Sequence, residues 1–274
     1  MTKYKMIFSD LDGTLLGSDN QLSAQNAQAI KALNERGVLF VPSTGRTISE
    51  ITPALTDNPS VRYVSYSNGV GVWDKQTGEK FGFMLTQQVA NAIIDVLQDY
   101  DVHWAVRSDG ICYVDAAQLD ENSFVYYNLT QPHVDCVNTF GVPKNDYVNF
   151  VRSLKEVEVI ALFFHSADQL AECNQRILAM GGLSSAGTNA YNLEIFNSDA
   201  GKGHTLVALA QRLGIPVEQT IAMGDSENDL SMIKAAGLGL ATANAFDFVK
   251  EKADAVICSN DEHVAKYVLE HFFD

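Results

Sequence analysis

Two aspartates stand at alternate positions in Asp10-Leu11-Asp12-Gly13-Thr14-Leu15, directly after Tyr4-Lys5-Met6-Ile7-Phe8, a short run rich in strand formers. At the end of a strand, residues two apart point to the same side, so the carboxylates of Asp10 and Asp12 converge. Gly13 then lets the chain turn away without adding bulk beside them. An ordinary Asx turn explains the same residues equally well. Met223-Gly224-Asp225-Ser226-Glu227-Asn228-Asp229 repeats the pattern after another apolar run. Helix capping accounts for Ser226 or Glu227, but not for three acids and an Asn at a second strand end. Taken with Asp10 and Asp12, these residues form an oxygen-rich set suited to Mg²⁺, a hard cation.

Three smaller motifs lie between these two. Ser43-Thr44-Gly45-Arg46 offers a hydroxyl and backbone N–H groups to an anion, although a strand-to-helix cap is the plainer reading. Gly201-Lys202-Gly203 opens a predicted helix with a cation where the macrodipole disfavours one, so Lys202 calls for an anionic neighbour unless it is solvated. Ser67-Asn68-Gly69 reads as a turn rather than as a direct participant in chemistry.

The surrounding elements must bring these motifs to one place. Ser23 followed by AQNAQAIKALNERG has an N-cap, apolar residues at helical spacing and a terminal Gly37. Val38–Val41 is the next strand, which closes a βαβ unit and implies a parallel sheet. The C-terminal part alternates in the same way: helix 203–213, strand 220–223, helix 227–236, strand 238–241 and onward to a final helix. In open parallel sheets ligands bind beyond the carboxyl ends of the strands, where all these motifs fall. The middle of the chain is different, with hairpins about Asp74–Gly78 and Ser108-Asp109-Gly110 and helices over 86–100, 147–155 and 167–180. The fold class expected is α/β: a Rossmann-like, doubly wound parallel-sheet core over 1–84 and 195–274, with an α+β domain inserted at 85–194.

Composition narrows the function. The 274 residues include 19 Lys and Arg against 34 Asp and Glu, a formal charge of −15. Such a surface repels phosphate backbones and anionic headgroups, so neither nucleic acid nor a membrane is an expected partner. A small anionic substrate needs a local cation to reverse the sign. The four cysteines (Cys112, Cys136, Cys173, Cys258) form no CxxC, and no long apolar stretch or secretory leader is evident, so a cytoplasmic protein with reduced thiols is expected. A P-loop kinase is excluded for want of GxxxxGK[ST], and a zinc hydrolase for want of HExxH.

DLDGTLL, STGR, GKG and GDSENDL, in that order around an inserted α+β domain, resemble the haloacid dehalogenase superfamily of phosphohydrolases. The position of the insertion, after SNGV and before the lysine, resembles the Cof-type subgroup with a type II cap. The likeness extends through KGHTLVALAQRLGI and ICSNDEHVAKYVLEHF. It implies an Mg²⁺-dependent phosphatase acting on small phosphorylated metabolites such as sugar phosphates or phosphorylated cofactors. By resemblance, Asp10 is the nucleophile that forms an aspartyl-phosphate, and Asp12 is the general acid and then the base. Thr44, with Gly45, holds a phosphoryl oxygen, Lys202 neutralises nucleophile and phosphate, and Asn228 touches phosphate. Asp10, the Asp12 carbonyl and Asp225 hold the metal, and Asp229 supports Lys202 or the metal.

A phosphomutase using the same intermediate, or a non-catalytic sensor of phosphorylated metabolites, is the alternative, and a monomer or weak homo-oligomer is expected. Thr242 and Ala243 replace the Met and Gly common in relatives, and Pro42 a common Ala, which bears on substrate preference. Arg46, His103, Trp104, Arg107, Asp109 and Tyr191 are candidate readers of the substrate, though each has a plainer turn or packing role.

Overall fold

A computed structural model describes residues 3–187 and 189–273. The described residues form two units, one within 1–46, 51–82 and 201–274, the other within 47–50 and 83–200.

The first unit is built on a five-stranded parallel sheet in the order Ala255–Val256, Leu238–Ala241, Thr220–Gly224, Met6–Ser9, Leu39–Pro42. Successive residues of a strand face opposite sides, and Met6, Ile7 and Phe8 are all fully buried, so both faces of the sheet are covered. That is why these strands read as apolar runs without alternation. On one face Met6, Phe8 and Ala222 pack against Leu206 and Leu209 of the helix Lys202–Arg212 and Met232 of the helix Leu230–Ala235. The helix Ala24–Glu35 starts where Ser23 Oγ accepts from Asn26 N at 3.1 Å, and the chain leaves it through Gly37 at φ +76°.

Met6–Ser9 lies between Leu39–Pro42 and Thr220–Gly224, so the chain departs from it to opposite sides and a crevice opens at its carboxyl end. Register aligns the motifs along that edge. Asp10 N donates to Met223 O at 2.9 Å, Ser43 N to Ser9 O at 2.7 Å, and Thr242 N to Gly224 O at 3.2 Å. A three-stranded antiparallel sheet, Tyr63–Tyr66, Gly71–Asp74 and Lys80–Gly82, contains the hairpin read about Asp74–Gly78. The helix expected over 227–236 differs: Glu227–Asp229 is a tight 3₁₀ turn, and the α-helix begins at Leu230. Asp229 causes this by turning its side chain back onto the amides of Asp225 and Ser226.

The second unit has a six-stranded sheet in the order Leu183–Ala186, Asn192–Asn197, Val159–Phe164, Val102–Ser108, Ile111–Asp115, Val142–Lys144, antiparallel except for the last pair. One face carries the helices Gln87–Leu97, Tyr147–Ser153 and Ala167–Leu178 over Trp104, Val106, Ile160, Leu162 and Phe164. The helices Glu121–Tyr126 and Gln131–Phe140, for which the sequence offers no clear periodicity, cover Ala105, Val114, Ala161 and Phe163 on the other. The hairpin at Asp109-Gly110 turns through φ values of +54° and +75°.

His103 is fully buried on that second face, with the rings of Phe124, Tyr127 and Phe163 centred 5.8–6.1 Å away. Neither ring nitrogen has a hydrogen-bond partner among the described residues. Arg107 is paired with Glu194 at 2.8 Å, Trp104 packs on Tyr147, and Tyr191 is exposed. Among the described residues no helix is long and apolar enough to cross a membrane, and the four cysteines are free thiols.

Candidate active site

Lys202 organises the crevice. It is the first residue of its helix and is 1% exposed, with its Nζ 2.5 Å from Asp10 Oδ1 and 2.6 Å from Asp229 Oδ1. The anionic neighbour that a lysine at a helix start requires is thus supplied twice. Burial works against the charge of this ammonium, but Asp10 and Asp229 outweigh it and raise its pKa, so the lysine stays protonated.

Asp229 is fully buried, and both its oxygens are used. Oδ1 accepts from Lys202, while Oδ2 accepts from the backbone N–H groups of Asp225 and Ser226 at 3.0 Å each and from Ser226 Oγ at 3.3 Å. The contact from Ser226 N, with the Ser226 side chain accepting in return from Asp229 N, closes a capping box at the start of the tight turn. This carboxylate therefore holds Lys202 and the 225–229 turn to each other.

Asp10, 5% exposed, keeps more of its capacity open. Burial and the carboxylates of Asp229 and Asp225 push it up to about 7, against the pull of Lys202. Asp225 is raised as well, by burial first and then by Asp229. Its Oδ1 accepts from Thr14 Oγ1 at 3.0 Å, and a Cβ on Gly13, which sits at φ +80°, would come within 2.7 Å of its Oδ2. Gly13 is therefore required for both the turn and the close approach. Donor atoms of Asp10, Asp225 and Asp229 lie within 4.8 Å of one another. Three carboxylates against one lysine leave the cluster with excess negative charge.

Asp12 faces elsewhere. Its carboxylate, about half exposed, is gripped by Arg46 through Nε at 3.0 Å and a terminal nitrogen at 2.5 Å. This two-point pair fixes the plane of the acid. Thr44 is 1% exposed; its N–H donates to Ser65 O at 3.0 Å and its Oγ1 accepts from Arg46 N at 3.2 Å. Asn228 Nδ2 donates to Asn68 Oδ1 at 3.0 Å, and a Cβ on Gly45 would meet that same oxygen at 3.0 Å.

Asp10, Asp225, Asp229 and Lys202 thus come together in one cluster, whereas the Asp12 side chain belongs to a separate pair with Arg46. The turn assigned to Ser67-Asn68-Gly69 is present, but it also carries Asn68 to Asn228. Asn244, also unassigned from sequence, donates from Nδ2 to Gly13 O at 2.7 Å and accepts from Asn260 N at 3.0 Å, which ties down the turn after Asp12. Thr242 Oγ1, one residue past the Leu238–Ala241 strand, is buried and has no partner among the described residues.

Residues 7–269 match the model of a family described as haloacid dehalogenase-like hydrolase. The chain belongs to that family. It is 28% identical to the phosphatase YwpJ of Bacillus subtilis, over 97% of this chain and 99% of that one. It is 30% identical to the 5-amino-6-(5-phospho-D-ribitylamino)uracil phosphatase YwtE of the same organism, over 97% of each. A Thermotoga maritima crystal structure superposes with a TM-score of 0.82 at 24% identity, covering 99% of this chain and 98% of that one, which establishes a shared fold. The enzyme class is hydrolase of phosphoric monoesters.

Proposed function

We propose that this phosphatase hydrolyses small phosphorylated metabolites of the cytoplasm, sugar phosphates or phosphorylated cofactor precursors, through a phosphate ester of Asp10. The observation that carries the reading is the buried Asp10–Lys202–Asp229 chain at the carboxyl edge of the sheet. An anionic nucleophile approaches a dianionic phosphate only where positive charge is already in place, and Lys202 supplies it without reorganisation. The activity named for YwtE supports a substrate of metabolite size.

The donor set fits Mg²⁺: oxygen ligands only, an uncompensated negative charge, and two carboxylates, Asp10 and Asp225, whose oxygens are not saturated as those of Asp229 are. Asp10, Asp225 and the main-chain carbonyl of Asp12 would hold the ion. When bound, Mg²⁺ offsets charge between carboxylate and phosphate. An Asp10 oxygen attacks phosphorus as the ester P–O bond breaks, and Asp12, released from its pair with Arg46 and protonated, gives its proton to the departing alkoxide. Water then attacks the aspartyl-phosphate, Asp12 takes its proton, and inorganic phosphate leaves with the Asp10 carboxylate restored. Thr44, Gly45 and Asn228 hold phosphoryl oxygens in line with the nucleophile.

The test is phosphate release from a panel of sugar phosphates, nucleotides, FMN and pyridoxal phosphate, with Mg²⁺ or EDTA. Release that requires the metal and disappears in Asp10→Asn is expected. Turnover retained by Asp10→Asn would overturn the assignment of the nucleophile.

A further inference from the structure

Three consecutive residues, Ser67, Asn68 and Gly69, have φ values of +50°, +54° and +82°. For the first two, which carry a Cβ, this region is disfavoured, and it persists only where the surroundings impose it. The surroundings do so here. Ser67 N donates to Arg46 O and Asn68 N to Thr44 O, each at 2.9 Å, while Gly69 O accepts from Thr205 Oγ1 of the Lys202 helix. The turn is thereby pinned to the Thr44 segment on one side and to the Lys202 helix on the other.

A turn alone does not require the Asn68 side chain, since glycine adopts the same φ without strain. The carboxamide is nevertheless placed with care. Its oxygen is committed to Asn228 Nδ2 at 3.0 Å, and the absent side chain of Gly45 clears the space beside it. What remains is Nδ2 of this partly buried residue, with no hydrogen-bond partner among the described residues. Its neighbours, Gly45 and Asn228, are the residues placed on phosphate above. A free N–H donor in that position suits an anionic oxygen and offers nothing to a cation.

We propose that Asn68 is a phosphate-contacting residue, its Nδ2 donating to a phosphoryl oxygen of the monoester while Asn228 fixes the orientation of the amide. This rests on the phosphatase reading above and extends it to a residue whose sequence context indicates only a turn.

Asn68→Gly and Asn68→Asp separate this role from a structural one, because both residues tolerate the left-handed backbone. Asn68→Gly deletes the donor, and Asn68→Asp replaces it with a like charge that repels phosphate. The readouts are kcat and KM on the best ester of the panel, and binding of inorganic phosphate by calorimetry with Mg²⁺ present. We expect unchanged unfolding midpoints, phosphate affinity and kcat/KM lower by about 10-fold in Asn68→Gly, and a loss of about 100-fold or more in Asn68→Asp. If both variants fold and match the unaltered chain in phosphate affinity and kcat/KM, Asn68 is only a turn residue and the proposal fails, with the phosphatase reading intact. If the unaltered chain neither releases nor binds phosphate, the phosphatase reading fails and this one with it.

Discussion

Replacing Lys202 by Met removes the one cation from a cluster of three carboxylates while keeping the aliphatic volume of the side chain. The side chains of Lys202, Asp10 and Asp229 are 0%, 7% and 0% exposed, so water cannot take over the lost interactions at 2.5 and 2.6 Å. Removing one partner from a buried, hydrogen-bonded ion pair costs about 3–5 kcal/mol, and the similar size of Met keeps a cavity penalty out of the sum. Against a typical stability of about 5–15 kcal/mol this is a large fraction of the total. The assay is urea unfolding followed by tryptophan fluorescence. The chain has two tryptophans, Trp73 in the first unit and Trp104 in the second, so a Trp104→Phe background makes Trp73 report on the unit that contains the site. In EDTA the variant should lose about 3 kcal/mol or more, and Mg²⁺ should restore part of that loss by meeting the same unpaired carboxylates. Turnover should fall about 100-fold or more, since a positioned charge at the reacting phosphate is lost. A destabilisation below about 1 kcal/mol, with no response to Mg²⁺, would show that the lysine does not hold a buried anionic pair and would refute the reasoning.

Other consequences can be measured independently. Burial holds the His103 imidazole down at about 4 against the pull of Asp115 and Asp120. As pH falls through the ordinary histidine range, the unfolded chain takes up a proton that the folded one refuses; His103 should therefore cost about 2 kcal/mol of stability between pH 7 and pH 5. His103→Leu should remove that loss when Trp104 fluorescence is followed in a Trp73→Phe background, and an equal acid sensitivity in both proteins would contradict it. Asp12→Ala should slow both formation and breakdown of the aspartyl-phosphate by about 100-fold in rapid-quench experiments, whereas an unchanged breakdown rate would remove Asp12 as the base. Asp225→Asn should shift the Mg²⁺ titration of activity to higher concentration by about 10-fold, and an unchanged titration would strike it from the ligand set.

Elements whose signals are local were legible in the sequence. Apolar runs ending in Asp10-Leu11-Asp12-Gly13 and Gly224-Asp225 announce buried parallel strands with carboxylates at their ends, because a strand covered on both faces leaves no room for alternation. Ser23 and Gly37 bracket a helix through chemistry confined to its own turns. The helices Glu121–Tyr126 and Gln131–Phe140 were not legible: the first is short, and neither buries more than one residue, Phe124 and Val137, so no clear apolar stripe marks them. Pairing across the chain was beyond reach for a different reason. That Lys202 needs an anion follows from its place at a helix start, but that it joins Asp10, 192 residues earlier, to Asp229 follows from strand order and register. The same holds for the grip of Arg46 on Asp12 and for the contact between Asn68 and Asn228, 160 positions apart. Side-chain types and spacing determine which chemistry is available at the edge of the sheet. Only the packed sheet, by setting which strand ends lie side by side, decides which of those groups meet and which are already spoken for.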